Sequence, residues 1–167
     1  MALSQQQTAL VEVARALGAP GQPEPFYRAL DRAMAGLIGH KLFTLMIYDA
    51  GARTVARVYS NQPAAYPVGG TKPYSASSLF DQLFERHQAV VVRNAEEIKR
   101  SFTDQELIAR LGCSGSLHLP VVHDGTALGI MNLLHEAGRY DDPHIELAAP
   151  FAAMLVTPFL IALRGRA

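Results

Sequence analysis

The stretch from residue 111 to 135, LGCSGSLHLPVVHDGTALGIMNLLH, constrains the fold of this chain more than any other. Two largely apolar runs, SLHLPVV and ALGIMNLLH, flank the tetrapeptide HDGT. Asp-Gly between two such runs is typical of a tight hairpin turn, because the turn needs residues that tolerate positive φ angles. The stretch therefore predicts two neighbouring antiparallel strands.

A second strand pair is predicted earlier in the chain. KLFTLMIYD is rich in β-branched and aromatic residues, AGAR is a turn, and TVARVYS alternates along its length. The alternation predicts Val55, Arg57 and Tyr59 on one face of the second strand. The segment NQPAAYPVGGTKPY follows, and its proline and glycine content indicates a long loop.

Helices are predicted at both ends of the chain. Ser4 and Gln7 form a capping-box pair before an apolar stripe that Gly18 can end, and a second helix ends at Gly39. Asp142 with Pro143 begins the last helix. Short helices and one brief strand are predicted between the two hairpins. Paired antiparallel strands with grouped helices indicate an α+β domain.

The length and composition predict one domain without a nucleic-acid partner. The chain of 167 residues is long enough for a full core, with an N-terminal helix and linker over 1–22 and the core over 23–167. Lys+Arg and Asp+Glu balance at 15 each, so no basic surface is expected. The single cysteine excludes an internal disulfide and a multi-cysteine zinc site, and a cytoplasmic location fits.

No signal peptide or membrane partner is predicted. The N-terminus lacks the basic start and apolar run of a signal peptide. The stretch 147–163 carries no charge, but it is short for a membrane span and contains Pro150 and Pro158. A helix buried in the core or at a subunit contact is favoured there.

The order of elements and both hairpins resemble those of a GAF domain. LFTLMIYD with RTVARVYS resembles the first hairpin of that family, and SLHLPVVHDGTALGIMNLLH resembles its last, although related PAS-like sheets look similar. The resemblance spans Phe26 to Leu163. It implies a central antiparallel sheet with long helices on one face, and a small-molecule pocket under loops and short helices on the other. It also implies pairing of two copies through the terminal helices.

Known kinds of GAF domain can be compared with these residues. The methionine-sulfoxide reductases need several cysteines, and bilin attachment in phytochromes commonly uses cysteine followed by histidine, whereas Cys113 is followed by Ser114. The Asn-Lys…Phe…Asp-Glu signature of the cyclic-nucleotide binders is not found, and no motif identifies a haem ligand. No cofactor is therefore predicted. A sensory or regulatory domain is what remains.

An anion-binding pocket is the main functional hypothesis. An arginine offers a planar fork for a carboxylate or phosphate, and tyrosines add apolar walls with a polar group. The alternative is that Arg57 pairs with a surface acid and Lys72 is solvated. The candidate ligand contacts are Arg57, Tyr59, Tyr66, Lys72, Tyr74, His118 and Asn132.

The predicted register of the last hairpin governs how its polar residues are interpreted. With Asp124–Gly125 at the turn, His118 is expected opposite Met131, so that His118 and Asn132 point to opposite faces. At most one of the two then faces a pocket. His118, His123 and His135 are too far apart along this hairpin to share one ion, so no metal site is predicted.

The same register brings His135 near Ser114 and therefore near Cys113. A thiolate beside a histidine would serve as a nucleophile or redox sensor, so a thiol or redox enzyme is one alternative. Cys113 also follows a helix C-terminus, which disfavours a thiolate, and a lone cysteine is usually an inert buried residue. The balance favours a protein that is not an enzyme.

The sequence as a whole predicts a small-molecule-binding sensory or regulatory domain, with a small anionic metabolite as the ligand. The apolar residues of the helices exceed what one sheet face can cover, which favours a homodimer through the terminal helices. A sensory domain of this kind is also expected to act on a signalling partner protein. A second alternative is a protein-interaction module whose pocket is filled by its own side chains.

Overall fold

The fold is described from a computed structural model, which covers residues 3–74 and 78–166, without the side chains of Lys72 and Ser78. The first half contains α1 (Gln5–Leu17), α2 (Glu24–Leu37), β1 (Leu42–Asp49), β2 (Thr54–Ser60) and β3 (Gly69–Pro73). Then come α3 (Ser78–Phe80), which continues as a π-helical turn (Asp81–Glu85), β4 (Val90–Val92), α4 (Ala95–Ser101) and α5 (Gln105–Arg110). The last elements are β5 (Gly115–His123), β6 (Thr126–His135), α6 (Asp142–Ala153) and α7 (Val156–Arg164).

The strands form one antiparallel sheet in the order β3-β2-β1-β6-β5-β4. Both predicted hairpins are present, as β1–β2 and β5–β6, and β1 pairs with β6 in the middle of the sheet. The predicted α+β class is confirmed. The first strand pair and the last strand pair thus meet side by side, although β1 ends at Asp49 and β6 begins only at Thr126.

The terminal helices cover one face of the sheet. Their core is built around fully buried aromatic and aliphatic side chains, among them Phe26, Leu30, Phe151 and Phe159. Burial of each such side chain contributes roughly 1.5–3 kcal/mol. The strand residues on this face of β1 are the odd-numbered ones from Phe43 to Ile47, while the even-numbered ones face the short helices.

The helix ends follow the predicted caps closely. The Ser4 hydroxyl accepts a hydrogen bond from the Gln7 amide at 3.2 Å, and the Gln7 side chain accepts one from the Ser4 amide at 2.8 Å. Gly39, at a φ of 87°, donates its amide to the Met34 carbonyl at the end of α2. The helix predicted to begin with Asp142 and Pro143 is α6, and its N-cap is Asp141, one position earlier than predicted.

A β-bulge in β2 makes one sequence prediction wrong. Met46 of β1 pairs with Arg57, but the adjacent Leu45 pairs with Tyr59, so Val58 is an additional residue in β2. An extra residue interrupts the strict alternation of side chains. Arg57 therefore lies on the face of the short helices, whereas Tyr59 lies on the face of the long helices.

A second bulge shifts the register of the β5–β6 hairpin. Val121 pairs with Gly129 and Val122 with Ala127, which leaves Leu128 as the extra residue. His118 consequently lies opposite Asn132 and not opposite Met131, and the two share one face. The predicted opposition of these two side chains is wrong, because the bulge adds one residue between the turn and Asn132.

The uncharged stretch 147–163 forms the second half of α6 and nearly all of α7. A break at residues 154–155 separates the two helices. Phe151, Leu155 and Phe159 of this stretch are fully buried against the sheet. Within the described residues, no single helix is long and apolar enough to cross a membrane, although α6 and α7, bent by 51°, pass that test together.

Candidate pocket between the sheet and the short helices

A cavity of about 580 Å³ lies on the sheet face opposite the long helices. The strands β1, β2, β5 and β6 form its floor, while the π-helical turn and the segment that joins α4 to α5 form its walls. The segment 99–105 adds mainly polar and charged side chains to the lining, whose apolar members include Leu42, Met46, Val55, Leu79, Phe80, Leu83, Phe102, Ile108, Ile130 and Leu134. A volume of this size is typical of small-molecule sites.

A row of polar side chains crosses the floor. Thr44, Asn132 and His118 lie directly opposite one another on β1, β6 and β5, because each pair is matched in the strand register. The Asn132 amide nitrogen donates to the Thr44 hydroxyl oxygen at 3.1 Å, and Asn132 Oδ1 lies 2.7 Å from His118 Nδ1. His118 Nε2 lies 2.7 Å from the Ser116 hydroxyl. These buried polar groups therefore satisfy one another, as burial requires.

The hydrogen-bond directions along this row follow from the amide of Asn132. Its nitrogen faces Thr44, so its oxygen must accept from His118, and the ring proton resides on Nδ1. His118 Nε2 then accepts from Ser116. Burial lowers the pKa of His118 to about 4, with the bond to Asn132 opposing this in part. The imidazole is therefore neutral at pH 7, and the floor is polar without being charged.

Arg57 provides a cation beside this floor. Its Nη1 donates to the Pro67 carbonyl at 3.0 Å, and its guanidinium lies 4.8 Å from the centre of the Tyr66 ring. Within the part of the chain that the structure describes, its Nε–H is buried without a hydrogen-bond partner. Burial lowers the pKa of Arg57, which Tyr66 and Asp104 oppose. An arginine remains protonated under such a shift, so Arg57 keeps both its charge and an unused donor.

Tyr66 closes one side of the cavity. Its hydroxyl donates to the Asp104 carboxylate at 2.7 Å, and burial followed by this bond raises the pKa of the phenol. The bond joins the loop after β2 to the segment between α4 and α5. Tyr66 is thus a wall of the cavity.

Two of the predicted contacts lie elsewhere. Tyr59 is on the long-helix face, where its hydroxyl donates to Asp31 of α2 at 2.7 Å. Tyr74 donates to Asp81 at 2.8 Å and lies under Arg53, outside the cavity lining. Tyr59 lies on that face because the bulge in β2 interrupts the alternation of side chains between Arg57 and Tyr59. The ligand roles predicted for these two tyrosines therefore do not match the cavity.

Lys72 is located through its backbone alone, which pairs with Val55 in the β2–β3 ladder. The predicted role of its side chain lies outside the described residues. By contrast, Arg57, Tyr66, His118 and Asn132 all line the one cavity. Their contact with a ligand stays a prediction.

Cys113 and His135 do not form a catalytic pair in the described contacts. Cys113 is 3% exposed, its thiol lies 3.9 Å from the Leu111 carbonyl, and burial raises the pKa of the thiol. His135 Nδ1 accepts from the Glu136 amide at 2.8 Å, and burial lowers the pKa of His135. The arrangement holds the sulfur as a thiol, which is a poor nucleophile.

Sequence reasoning missed Thr44 and Asp104. The only signal for Thr44 was a polar residue within the apolar strand LFTLMIYD, on the same alternating face as Leu42 and Met46. No sequence signal indicated Asp104, which Tyr66 reaches from 38 positions away. Within residues 3–74 and 78–166, no cluster of three or more His, Cys, Asp or Glu side chains is arranged to hold a metal ion.

The fold matches several solved GAF domains. The GAF domain of a phosphoenolpyruvate-protein phosphotransferase from Acinetobacter superposes with a TM-score of 0.76 at 13% identity, covering 96% of both chains. The corresponding domain from Coxiella burnetii gives 0.76 at 14% identity, covering 97% of this chain and 96% of that one. The phycocyanobilin-bound GAF domain of a cyanobacterial phytochrome gives 0.69 at 11% identity, covering 98% and 96%.

The sequence itself also matches a family model. The model described as GAF domain matches residues 26–155, which include every strand and most of the helices described above. This range agrees with the resemblance seen in the two hairpins. The chain belongs to the GAF domain family.

Proposed function

We propose that this chain is a sensory or regulatory domain that binds a small anionic molecule in the cavity between the sheet and the short helices. One observation carries the proposal: Arg57, with an unpartnered Nε–H, lines the same 580 Å³ cavity as the neutral polar row of the floor. A buried donor without a partner costs about 1–3 kcal/mol, which an anionic ligand oxygen can recover.

The solved structures that resemble this chain support a sensory role. They include domains of two-component sensor histidine kinases from Sinorhizobium meliloti and Bacillus halodurans, and part of a methyl-accepting chemotaxis protein. Their identities to this chain are 19%, 13% and 15%, so the likeness lies in the fold. A signalling partner protein is part of the proposal.

The two alternatives have less support. A thiol enzyme needs a thiolate and a nearby base, whereas Cys113 is buried with a raised pKa and its contacts do not include His135. An interaction module needs a filled pocket, whereas Tyr66 forms a wall and Tyr74 is bonded to Asp81, which leaves the cavity open. A binding domain is therefore the better account.

The homodimer and the cytoplasmic location belong to the same proposal. Apolar side chains remain exposed on the terminal helical segments, including Leu3 at 58% and Ile161 at 65%. Ile161→Glu should lower the mass measured by analytical ultracentrifugation at micromolar concentration. Val68→Glu is the matched control, because Val68 is 55% exposed in the loop before β3. Equal masses for wild type and both variants would contradict this interface.

The binding proposal is tested by a thermal-shift screen of anionic metabolites against the whole chain. A ligand at 100 times its Kd stabilises the fold by about 2.7 kcal/mol, which gives a clear rise in Tm. Arg57→Gln should abolish most of that rise, whereas Cys113→Ala should retain it. A screen in which no metabolite raises Tm at millimolar concentration would count against the proposal.

A further inference from the structure

We infer that the ligand is a monocarboxylate with an apolar body, and that Arg57 together with Thr44 holds its carboxylate. This inference rests on the proposed function and narrows it to one chemical class. It follows from the donors that the cavity leaves unused, from its charge balance and from its apolar walls.

The first unused donors belong to Arg57. Its Nη1 donates to the Pro67 carbonyl, while its Nε–H has no partner among residues 3–74 and 78–166. Nε and Nη2 form one edge of the guanidinium, and this edge matches the two oxygens of a carboxylate. The contact of the guanidinium with the Tyr66 ring helps to hold it in position beside the cavity.

The second unused donor belongs to Thr44. In the row across the floor, each side chain donates to the next, and Thr44 stands at the end as the acceptor of the Asn132 amide. Its own hydroxyl proton has no acceptor among the described contacts. Thr44 lies on the cavity face of β1, two residues from Met46, which pairs with Arg57. The hydroxyl and the guanidinium thus occupy adjacent strands on one face.

The charges around the cavity favour a singly charged ligand. Arg57 is accompanied by Asp104, and the floor beside it is neutral because His118 is uncharged. Of the other lining cations, Lys99 is paired with Glu96, and Arg100 is exposed at the rim. A dianionic phosphate bound at the half-buried Arg57 would also face the Asp104 carboxylate, which disfavours it relative to a singly charged carboxylate.

The walls favour an apolar body attached to that carboxylate. The strands, α3 with the π-helical turn, and α5 contribute leucine, isoleucine, valine, methionine and phenylalanine side chains, while the polar side chains outside the row are Arg57, Tyr66 and most of the segment 99–105. Each methylene group of the ligand that these walls cover contributes about 0.8 kcal/mol. Small hydrophilic acids would leave this surface uncovered.

The test is isothermal titration calorimetry of the whole chain at pH 7.5 with two matched series. The first is 3-phenylpropanoate, 3-phenylpropanol and 2-phenylethyl phosphate, and the second is octanoate, octanol and octyl phosphate. In at least one series the carboxylate should bind about 10-fold or more tightly than the alcohol and the phosphate, as expected for charge-assisted hydrogen bonds. A phosphate that binds as tightly as the carboxylate in both series would overturn the inference and leave the proposed function intact, whereas an alcohol that does so would count against both, because the negative charge would then contribute nothing.

Variants connect the preference to the two side chains. Arg57→Gln should weaken carboxylate binding about 10- to 100-fold while leaving alcohol binding unchanged, and Arg57→Lys should restore only part of it. Thr44→Val should weaken it about fivefold, whereas Thr44→Ser should stay within about twofold of wild type. Arg110→Gln is the matched control, because Arg110 is exposed in α5 outside the cavity lining.

The remaining outcomes also decide the matter. Circular dichroism and the Tm of each variant establish that it is folded before its affinity is compared. Equal carboxylate affinity in wild type and Arg57→Gln would overturn the inference. If none of the six probes binds at millimolar concentration, the inference fails as well. In that case the proposed function fails too only if no anionic metabolite in the thermal-shift screen raises the Tm.

Discussion

Acidification should destabilise this domain through one buried residue, His118. The imidazole is enclosed by the sheet and by the Phe102 ring, whose centre lies 5.5 Å away. Folding therefore keeps it neutral in conditions under which the unfolded chain would protonate it. The perturbation is a change from pH 7 to pH 4.5, made in the wild type and in His118→Asn.

The size of the effect follows from the two pKa values. The pKa of His118 is about 4 in the fold and 6.5 in the unfolded chain, a gap of about 2.5 pH units. As the pH falls from 6.5 towards 4, the unfolded state takes up one proton more than the folded state, so the free energy of unfolding decreases. At about 1.4 kcal/mol per pH unit, the loss by pH 4.5 is roughly 2–3 kcal/mol.

Equilibrium urea unfolding at the two pH values measures this loss. Carboxylates also titrate in this range, but they contribute equally to wild type and His118→Asn, so the difference between the two isolates the imidazole. Wild type should lose roughly 2–3 kcal/mol more than His118→Asn. His123→Asn, at the exposed turn, should behave as wild type does. The reasoning about His118 is refuted if wild type and His118→Asn lose the same free energy.

Three further outcomes are expected. Gly129→Ala should destabilise the fold by about 3 kcal/mol or more in urea unfolding, because the added Cβ would overlap the Met46 carbonyl oxygen. Gly36→Ala is the control, since Gly36 lies in open space on α2, and it should stabilise the fold by about 0.5–1 kcal/mol. Similar free energies of unfolding for the two variants would contradict the close packing at Gly129. Tyr59→Phe should lower the free energy of unfolding by about 1 kcal/mol, because the hydrogen bond to Asp31 is lost. It should leave the affinity for carboxylates unchanged, since Tyr59 is on the other sheet face, and a loss of affinity would argue against that separation. Iodoacetamide should modify Cys113 slowly at pH 7.5 and quickly in denaturant, because the thiol is buried with a raised pKa; rapid modification of the native protein would support a reactive thiol.

The strands could be predicted from the sequence because local signals mark them. Asp124–Gly125 forces a turn, and the β-rich runs on either side of it have few other choices. The bulges at Val58 and Leu128 could not be predicted in this way. The alternation of TVARVYS continues unbroken through Val58, and the apolar run ALGIM has no break at Leu128. The extra residue becomes visible only in the pairing with the neighbouring strand.

The same limit explains which residues of the cavity lining could be predicted. Arg57 was predicted because a cation in an apolar strand is conspicuous, and Tyr66 because it lies in a long loop. The shared face of His118 and Asn132 depended on the bulge at Leu128, and was therefore predicted wrongly. Asp104 reaches Tyr66 only through the arrangement of two distant loops, which no local pattern encodes.

The most direct test of the account observes the Arg57 Nε–H itself. In an arginine-selective ¹H–¹⁵N spectrum, this resonance is identified by its absence in Arg57→Lys. Titration with 3-phenylpropanoate should move it progressively to a saturated position, because a buried donor without a partner acquires one. The Arg110 resonance should stay in place. If the Arg57 Nε–H resonance stays in place while the protein is saturated with the carboxylate, the anion binds elsewhere. The claim that Arg57 holds the anion is then contradicted.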